Sequence, residues 1–372
     1  MTKISLDPTL GAVVLQSAQN TAIYPYLWLR DNCPSGLHPD TQERTFDLLS
    51  VPEDIHPSNC VLVDNELVVT WALDGHVSRF SLDWLEQYQP GRLNSDAARI
   101  PATHWLNGTN APVAPATAGD LLTDDVALLN WLTETKRSGL GLVSGLVDEQ
   151  AGMAVANRIG FLRRTNFGKT FEVVSKPDPN NLAYTSIHLP LHTDLPNQEM
   201  PPGFQFLHCL ANEAEGGGSV FCDGFAMAEE LRRIDPEAFE VLSKTYVPMR
   251  FHDQDYDLGT HQTVIRTDPF GAIVELRFNA HLAGILDIAP EQMAAYYRAY
   301  RQLMKLIRNP DHHFEIKLQA GQMAVFDNRR VLHGRQAFDP QTGRRHFRGC
   351  YVDRGEWDSK IRVLSRSNKE SA

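Results

Sequence analysis

Beyond residue 200 the sequence runs as a succession of short strand-type stretches, and this pattern narrows the fold more than any other feature. Residues 203–209, 219–222, 272–278, 314–318, 322–326 and 347–352 are each rich in β-branched and aromatic side chains. Two helical stretches interrupt them, at 225–244 and, with a long amphipathic period, at 290–308. Two more are expected upstream: 121–136, with Thr123-Asp124 as cap and Gly139 as stop, and 147–164. A doubly wound nucleotide-binding fold requires regular strand–helix alternation and a phosphate loop. Here Gly216-Gly-Gly-Ser219 lacks the lysine and the helix that such a loop needs, so it reads as a turn. The expectation is a mainly β chain: an antiparallel sandwich or jelly roll decorated with helices.

The first 95 residues carry strand runs of their own, at 61–63, 67–71 and 76–80, separated by Asn and Gly turn signals. The stretch 96–119, rich in Ala, Pro, Thr and Asn, reads as a linker. The expected organisation is therefore an accessory domain at 1–95, a linker at 96–119 and a catalytic domain at 120–372. No apolar run approaches the ~20 residues of a membrane span, and Met1-Thr-Lys-Ile-Ser-Leu-Asp7 holds no apolar signal core. A net charge of -11 over 372 residues argues against a nucleic-acid or anionic membrane surface, although it leaves room for a local basic pocket. Cys33, Cys60, Cys209, Cys222 and Cys350 are scattered and odd in number, which fits free thiols in a reducing cytoplasm better than a disulfide framework.

Chemistry concentrates in three places. His192-Thr-Asp194 closes a strand-like run, where residues two apart share a face. A second histidine, His333, stands downstream in Phe326-Asp-Asn-Arg-Arg-Val-Leu-His-Gly-Arg335. Two imidazoles and a carboxylate form the facial triad of non-haem Fe(II) oxygenases, which leaves coordination positions open for co-substrate and O2. Arg345, twelve residues after His333, can grip one end of a dicarboxylate while the other end meets the metal. Zinc hydrolysis is the competing reading of the same donors; Arg345 and the absence of an H-E-x-x-H helix weigh against it.

With these motifs in place, the chain resembles the γ-butyrobetaine hydroxylase-like branch of the Fe(II)/2-oxoglutarate dioxygenases. The resemblance is carried by Tyr26-Leu-Trp-Leu-Arg-Asp-Asn-Cys33, Asn180-Asn-Leu-Ala-Tyr184, His192-Thr-Asp194, Pro201-Pro-Gly-Phe-Gln-Phe-Leu-His-Cys209 and the His333 segment. It implies a double-stranded β-helix catalytic domain with a strand-rich N-terminal domain, in a cytoplasmic homodimer. The implied cofactors are Fe(II), 2-oxoglutarate and O2, with ascorbate as activator. The substrate implied is a small quaternary ammonium compound, with neither nucleic acid nor membrane as a partner. His192, Asp194 and His333 match the iron ligands, Arg345 the 2-oxoglutarate arginine, and Ser219 a hydroxyl contact to the same carboxylate.

For the substrate, the resemblance implies an aromatic cage of Phe167, Phe171, Tyr184 and Tyr351 around a trimethylammonium group, whose attraction to ring faces replaces the N–H donors it lacks. Asn181 and Asn279 match polar contacts at the anionic end. Two departures stand out there. Leu195 replaces a tyrosine common in the family, and Arg348 adds charge three residues after Arg345, with Arg277 and His188 as further donors. More positive charge suits a phosphonate, whose oxygens a guanidinium fork matches. The loop Cys33-Pro-Ser-Gly-Leu-His-Pro-Asp-Thr-Gln-Glu-Arg-Thr-Phe46 also resembles the relatives acting on 2-(trimethylamino)ethylphosphonate. The expected reaction is hydroxylation of that compound at C1; the alternatives are γ-butyrobetaine hydroxylation and a betaine sensor without activity. Relatives hold a structural zinc with Cys-x-Cys-x-x-Cys and a distant His. The matching positions here are Cys33, Ser35, His38 and His76, with Cys60 or Asp31 as candidates for a fourth ligand, so a zinc site is a further expectation.

Overall fold

The computed structural model describes residues 2–18, 20–175 and 184–370. By internal contact the chain divides into two units, Met1–Asp96 and Ala97–Ala372. The first holds two antiparallel three-stranded sheets, Lys3–Asp7, Ala12–Gln16 and Thr21–Pro25 in one, and Pro57–Val63, Glu66–Trp71 and Val77–Ser81 in the other. Glu66–Trp71 alternates strictly, so Leu67, Val69 and Trp71 point into the core with Phe80 and Leu29.

In the second unit a six-stranded sheet runs in the order Ala114–Thr117, Leu140–Ser144, Met323–Asp327, Phe204–Asn212, Arg345–Val352, Thr170–Val173. Its first pair is parallel and the rest antiparallel. A four-stranded antiparallel sheet has the order Leu189–His192, Val331–Arg335, Ser219–Asp223, Phe314–Ile316. The period of two explains how these sheets pack. Phe204, Phe206, Met323, Val325, Cys350 and Val352 bury one face of the large sheet against Trp131, Val155 and Trp357 from helices Asp125–Ser138, Ala151–Ile159 and Arg354–Glu370. The alternate residues Cys209, Ala324, Phe326 and Phe347 meet Phe221 of the small sheet in an inner cluster. The small sheet turns Val220, Cys222 and Leu332 outward onto Met227, Leu231, Leu242 and Leu303 of helices Gly224–Ile234, Pro236–Lys244 and Pro290–Arg308. This is a double-stranded β-helix jacketed by helices on both sides.

Some elements differ from expectation. The 225–244 helix is two, because Asp235 leaves helical geometry and caps a new helix that begins at Pro236. The 147–164 helix is shorter, Ala151–Ile159, ended by Gly160. Residues 96–119 are no free linker from Ala97 onward. Ala114–Thr117 joins the large sheet, and buried Trp105 donates from Nε1 to the Ser138 carbonyl at 3.0 Å. Polar and proline-rich composition hid a segment whose packing depends on one tryptophan. No helix among the described residues is long and apolar enough to cross a membrane.

Candidate active site

The strand bearing His192 pairs with the strand bearing His333, but its register slips: Leu189 faces Arg335 and His192 faces His333. Three residues are thus spanned against two, a bulge that turns the last side chain. The two imidazoles stand side by side, ring centroids 4.3 Å apart. His192 Nδ1 lies 2.9 Å from the Pro190 carbonyl; an N–H there donates to the carbonyl and leaves the Nε2 lone pair facing the site. Asp194 Oδ1 is 3.2 Å from His192 Nε2 and 3.7 Å from His333 Nε2. Among the described residues this is the only group of three or more His, Cys, Asp or Glu donors close enough to hold a metal ion.

Asp194 itself lies past the strand end and is fixed by a side chain that sequence reasoning passed over. Asn328, fully buried, accepts from the Asp194 amide at 2.7 Å and donates to its carbonyl at 3.0 Å. It is the Asn of Phe326-Asp-Asn, so the signal lay inside a motif already singled out. Tyr351 donates to Asp194 Oδ2 at 2.7 Å. Burial pushes the Asp194 carboxyl up, but His333, His192 and this hydroxyl outweigh it and hold the group well below the usual carboxylate range. Burial, then His192, pushes the His333 imidazole down to about 3. Nε2 of His192, Nε2 of His333 and a carboxylate oxygen of Asp194 therefore converge on one place, a donor set that fits a divalent cation and leaves positions open on it.

The triad opens onto a cavity of about 440 Å³ walled by Phe167, Phe171, Tyr184 and Tyr351, with Leu195 and Asn279 beside His192 and Asp194. Phe171 and Tyr351 stand 5.2 Å apart, tilted by 30°. Gly349 makes this wall possible: a Cβ there would lie 2.2 Å from Phe171 Cζ. The cavity is also lined by Arg250, Phe251, His252, His281 and Leu282, which sequence reasoning did not include.

Arg345 shares the inward face of its strand with Phe347, Gly349 and Tyr351, since these are two residues apart. It borders an opening of its own, beside Val174 and Ser175. Its guanidinium lies between the rings of Phe338 and Phe347, at 5.4 and 4.3 Å from their centroids, and no carboxylate of the described residues pairs with it. Burial, then Arg335, pushes it down to about 9. Gly217, at φ +69°, leaves it room, because a Cβ there would sit 2.9 Å from Arg345 Nε. A part-buried cation without counter-charge is suited to an incoming carboxylate. Ser219 is buried on the neighbouring sheet, its strand paired with the His333 strand so that Ser219 faces Arg335.

Four expectations need correction. Arg348, three residues from Arg345, necessarily takes the opposite face of the strand. Its Nε donates to Glu172 at 2.6 Å and NH2 to Glu149 at 3.2 Å, away from the cavity. Arg277 is buried and spent on Glu275 and on the carbonyls of Pro196, Gln198 and Glu199, where it braces the loop after Leu195. His188 lines a separate cavity. The N-terminal residues do not fit a closed zinc site. Cys33 Sγ, Ser35 Oγ and His76 Nε2 lie 3.1–3.3 Å from one another, but His38 turns its Nδ1 to the amides of Asp40 and Thr41. Asp31 is paired with Arg44, and Cys60 lies within the second sheet opposite Val69. Asn181 lies outside the described residues.

A jelly roll with two imidazoles and a carboxylate at its mouth, and a part-buried arginine without a carboxylate partner on the facing sheet, defines a 2-oxoglutarate-dependent iron dioxygenase. The family description "Taurine catabolism dioxygenase TauD, TfdA family" matches residues 108–351. The chain is 44% identical over 347 residues to a γ-butyrobetaine dioxygenase from Pseudomonas sp. (strain AK-1), covering 91% of this chain and 90% of that one. It is 31% identical over 376 residues to the Homo sapiens γ-butyrobetaine dioxygenase, covering 97% and 96%. An asparagine oxygenase solved with Fe(II), 2S,3S-3-hydroxyasparagine and succinate shares the fold, with a TM-score of 0.52 at 17% identity over 64% of this chain and 93% of that chain. The chain belongs to the TauD, TfdA family and, within it, to the γ-butyrobetaine dioxygenase-like Fe(II)/2-oxoglutarate enzymes.

Proposed function

We propose that the protein hydroxylates a small trimethylammonium-bearing anion, and that γ-butyrobetaine is its substrate. The observation that carries the substrate class is the wall of Phe167, Phe171, Tyr184 and Tyr351 opening directly onto His192 and Asp194. The choice of γ-butyrobetaine rests on the two relatives named above. In this reading His192, Asp194 and His333 hold Fe(II), while Arg345, with Ser219, receives the far carboxylate of 2-oxoglutarate. With 2-oxoglutarate and O2, the iron supplies an oxidant that replaces C–H by C–OH as succinate and CO2 are formed. The chain's own part is positional. The ring faces hold the ammonium and exclude water, Asn328 fixes the Asp194 backbone and Tyr351 its carboxylate, and the Pro190 carbonyl fixes the His192 tautomer. The bound substrate is thereby held with one C–H bond towards the metal position.

The phosphonate reading loses Arg348, its main support, and keeps Leu195, an apolar residue at φ +53° in the cavity wall. Both substrates belong in one assay. With Fe(II), 2-oxoglutarate and ascorbate, succinate release is expected to be stimulated by γ-butyrobetaine more than by 2-(trimethylamino)ethylphosphonate. The reverse order would transfer the assignment to the phosphonate. His333→Ala and Asp194→Ala are expected to abolish stimulated release, and substantial turnover in either would remove the iron-ligand assignment.

A further inference from the structure

Among the described residues the anionic end of the substrate has only the neutral Asn279 to receive it, since Leu195 is apolar and Arg348 lies off the cavity. We propose that His281 is that group: its imidazole donates to the substrate's anion and makes the enzyme prefer anionic over purely cationic trimethylammonium compounds. The inference rests on the proposed function and adds the residue that reads the second half of the substrate.

Elimination leads to it. Apart from His192, the basic side chains on the cavity wall are Arg250, His252 and His281. Arg250 is answered by Asp257, with Nε and NH2 donating at 2.7 and 2.6 Å. His252 sits directly opposite the same Asp257 across a two-stranded ladder, so that carboxylate faces both. His281, which is exposed and also borders the separate cavity that His188 lines, has no carboxylate partner among the described residues. Burial, then the basic groups of His192 and Arg308, pushes its imidazole down. An entering anion is the counter-charge this arrangement lacks.

Placement supports the same role. The His281 amide donates to Asn279 Oδ1 at 3.0 Å, and Asn279 Nδ2 donates to the Thr193 carbonyl at 3.2 Å. Thr193 is the residue between His192 and Asp194, so the turn carrying His281 is tied to the chain segment that positions the triad. These bonds also use the Asn279 oxygen and one of its two amide protons. Asn279 is left with a single neutral donor for the ligand, whereas a carboxylate accepts several, and a bond to a charged or polarised imidazole is the stronger kind. Leu189, Leu195 and Leu282 make the rest of that wall apolar.

The test uses the full-length protein with three compounds: γ-butyrobetaine, 2-(trimethylamino)ethylphosphonate and butyltrimethylammonium, which keeps the cation and drops the anion. His281→Ala is expected to lower kcat/KM for the anion that wild type prefers by about tenfold or more, chiefly through KM, and to leave butyltrimethylammonium within about twofold. His281→Gln, which keeps an N–H donor and a similar size, should recover part of the loss. An equal fall for all three compounds, or no fall for the preferred anion, overturns the assignment. A wild type that handles neither anion better than butyltrimethylammonium overturns it as well. A wild type that prefers the phosphonate overturns only the substrate reading; His281 then stands if its removal costs the phosphonate the same factor and spares butyltrimethylammonium.

Discussion

Tyr351 serves the site twice, its ring as a wall of the cavity and its hydroxyl as the donor to Asp194 Oδ2 at 2.7 Å. Tyr351→Phe separates the two. The ring face stays, so KM for the trimethylammonium substrate is expected to change little, while Fe(II) affinity falls by about ten- to a hundredfold with loss of an outer partner of the carboxylate. Succinate release titrated with Fe(II), and separately with substrate, checks the two numbers. At this scale the sequence was readable where chemistry sits in the side chain itself. His192, Asp194 and His333 could be picked out because few residue types bind metal and their motif spacing is unusual. Arg348 was misread because charge was considered without strand parity: Arg345 and Arg348 are an odd number of residues apart, and only one of them can face inward. Asn328 was missed because a buried amide that fixes a backbone has no distinctive side-chain chemistry.

Strands and turns set how precisely those side chains meet. Gly349 illustrates this, since its missing side chain is what lets Phe171 lie against the Tyr351 strand. Gly349→Ala is expected to push the Phe171 ring aside and raise KM for γ-butyrobetaine several-fold, with far less effect on uncoupled 2-oxoglutarate turnover; steady-state kinetics with and without substrate would separate the two. The N-terminal loop offers a second case. Arg44 pairs with Asp31 and donates to Asn32 at 3.2 Å, and Arg30 lies 4.6 Å from the Phe46 ring centre while pairing with Asp74. These contacts tie the loop to its neighbours. Elemental analysis of purified protein is expected to find no stoichiometric zinc, and EDTA to leave the thermal unfolding of the iron-free protein unchanged; stoichiometric zinc removed with a drop in Tm would contradict this. Sequence reading located most elements because turn residues and β-branched runs are local signals. It could not locate the slipped register at His192, which arises only when two distant strands pair.

Across the whole second unit, long-range pairs decide what counts as one body. Arg330 and Asp223 are both fully buried and joined by two bonds, at 3.0 and 2.7 Å, and Arg330 also donates to the carbonyls of Arg137 and Thr103. This pair reaches into the stretch that composition alone marked as a linker, and no local pattern announces such a tie. Arg345 has a consequence at the same scale. A part-buried cation without a counter-charge is held there at the expense of the folded state, so whatever neutralises it acts as a ligand of the native conformation and of no other. 2-Oxoglutarate is then a stabiliser as well as a reactant: at a hundred times its Kd it adds about 2.7 kcal/mol to the unfolding free energy. Thermal melts of the metal-free protein should rise with 2-oxoglutarate concentration. In Arg345→Met the rise should vanish while the starting Tm goes up, so that a residue kept for the co-substrate is one the resting fold would be steadier without.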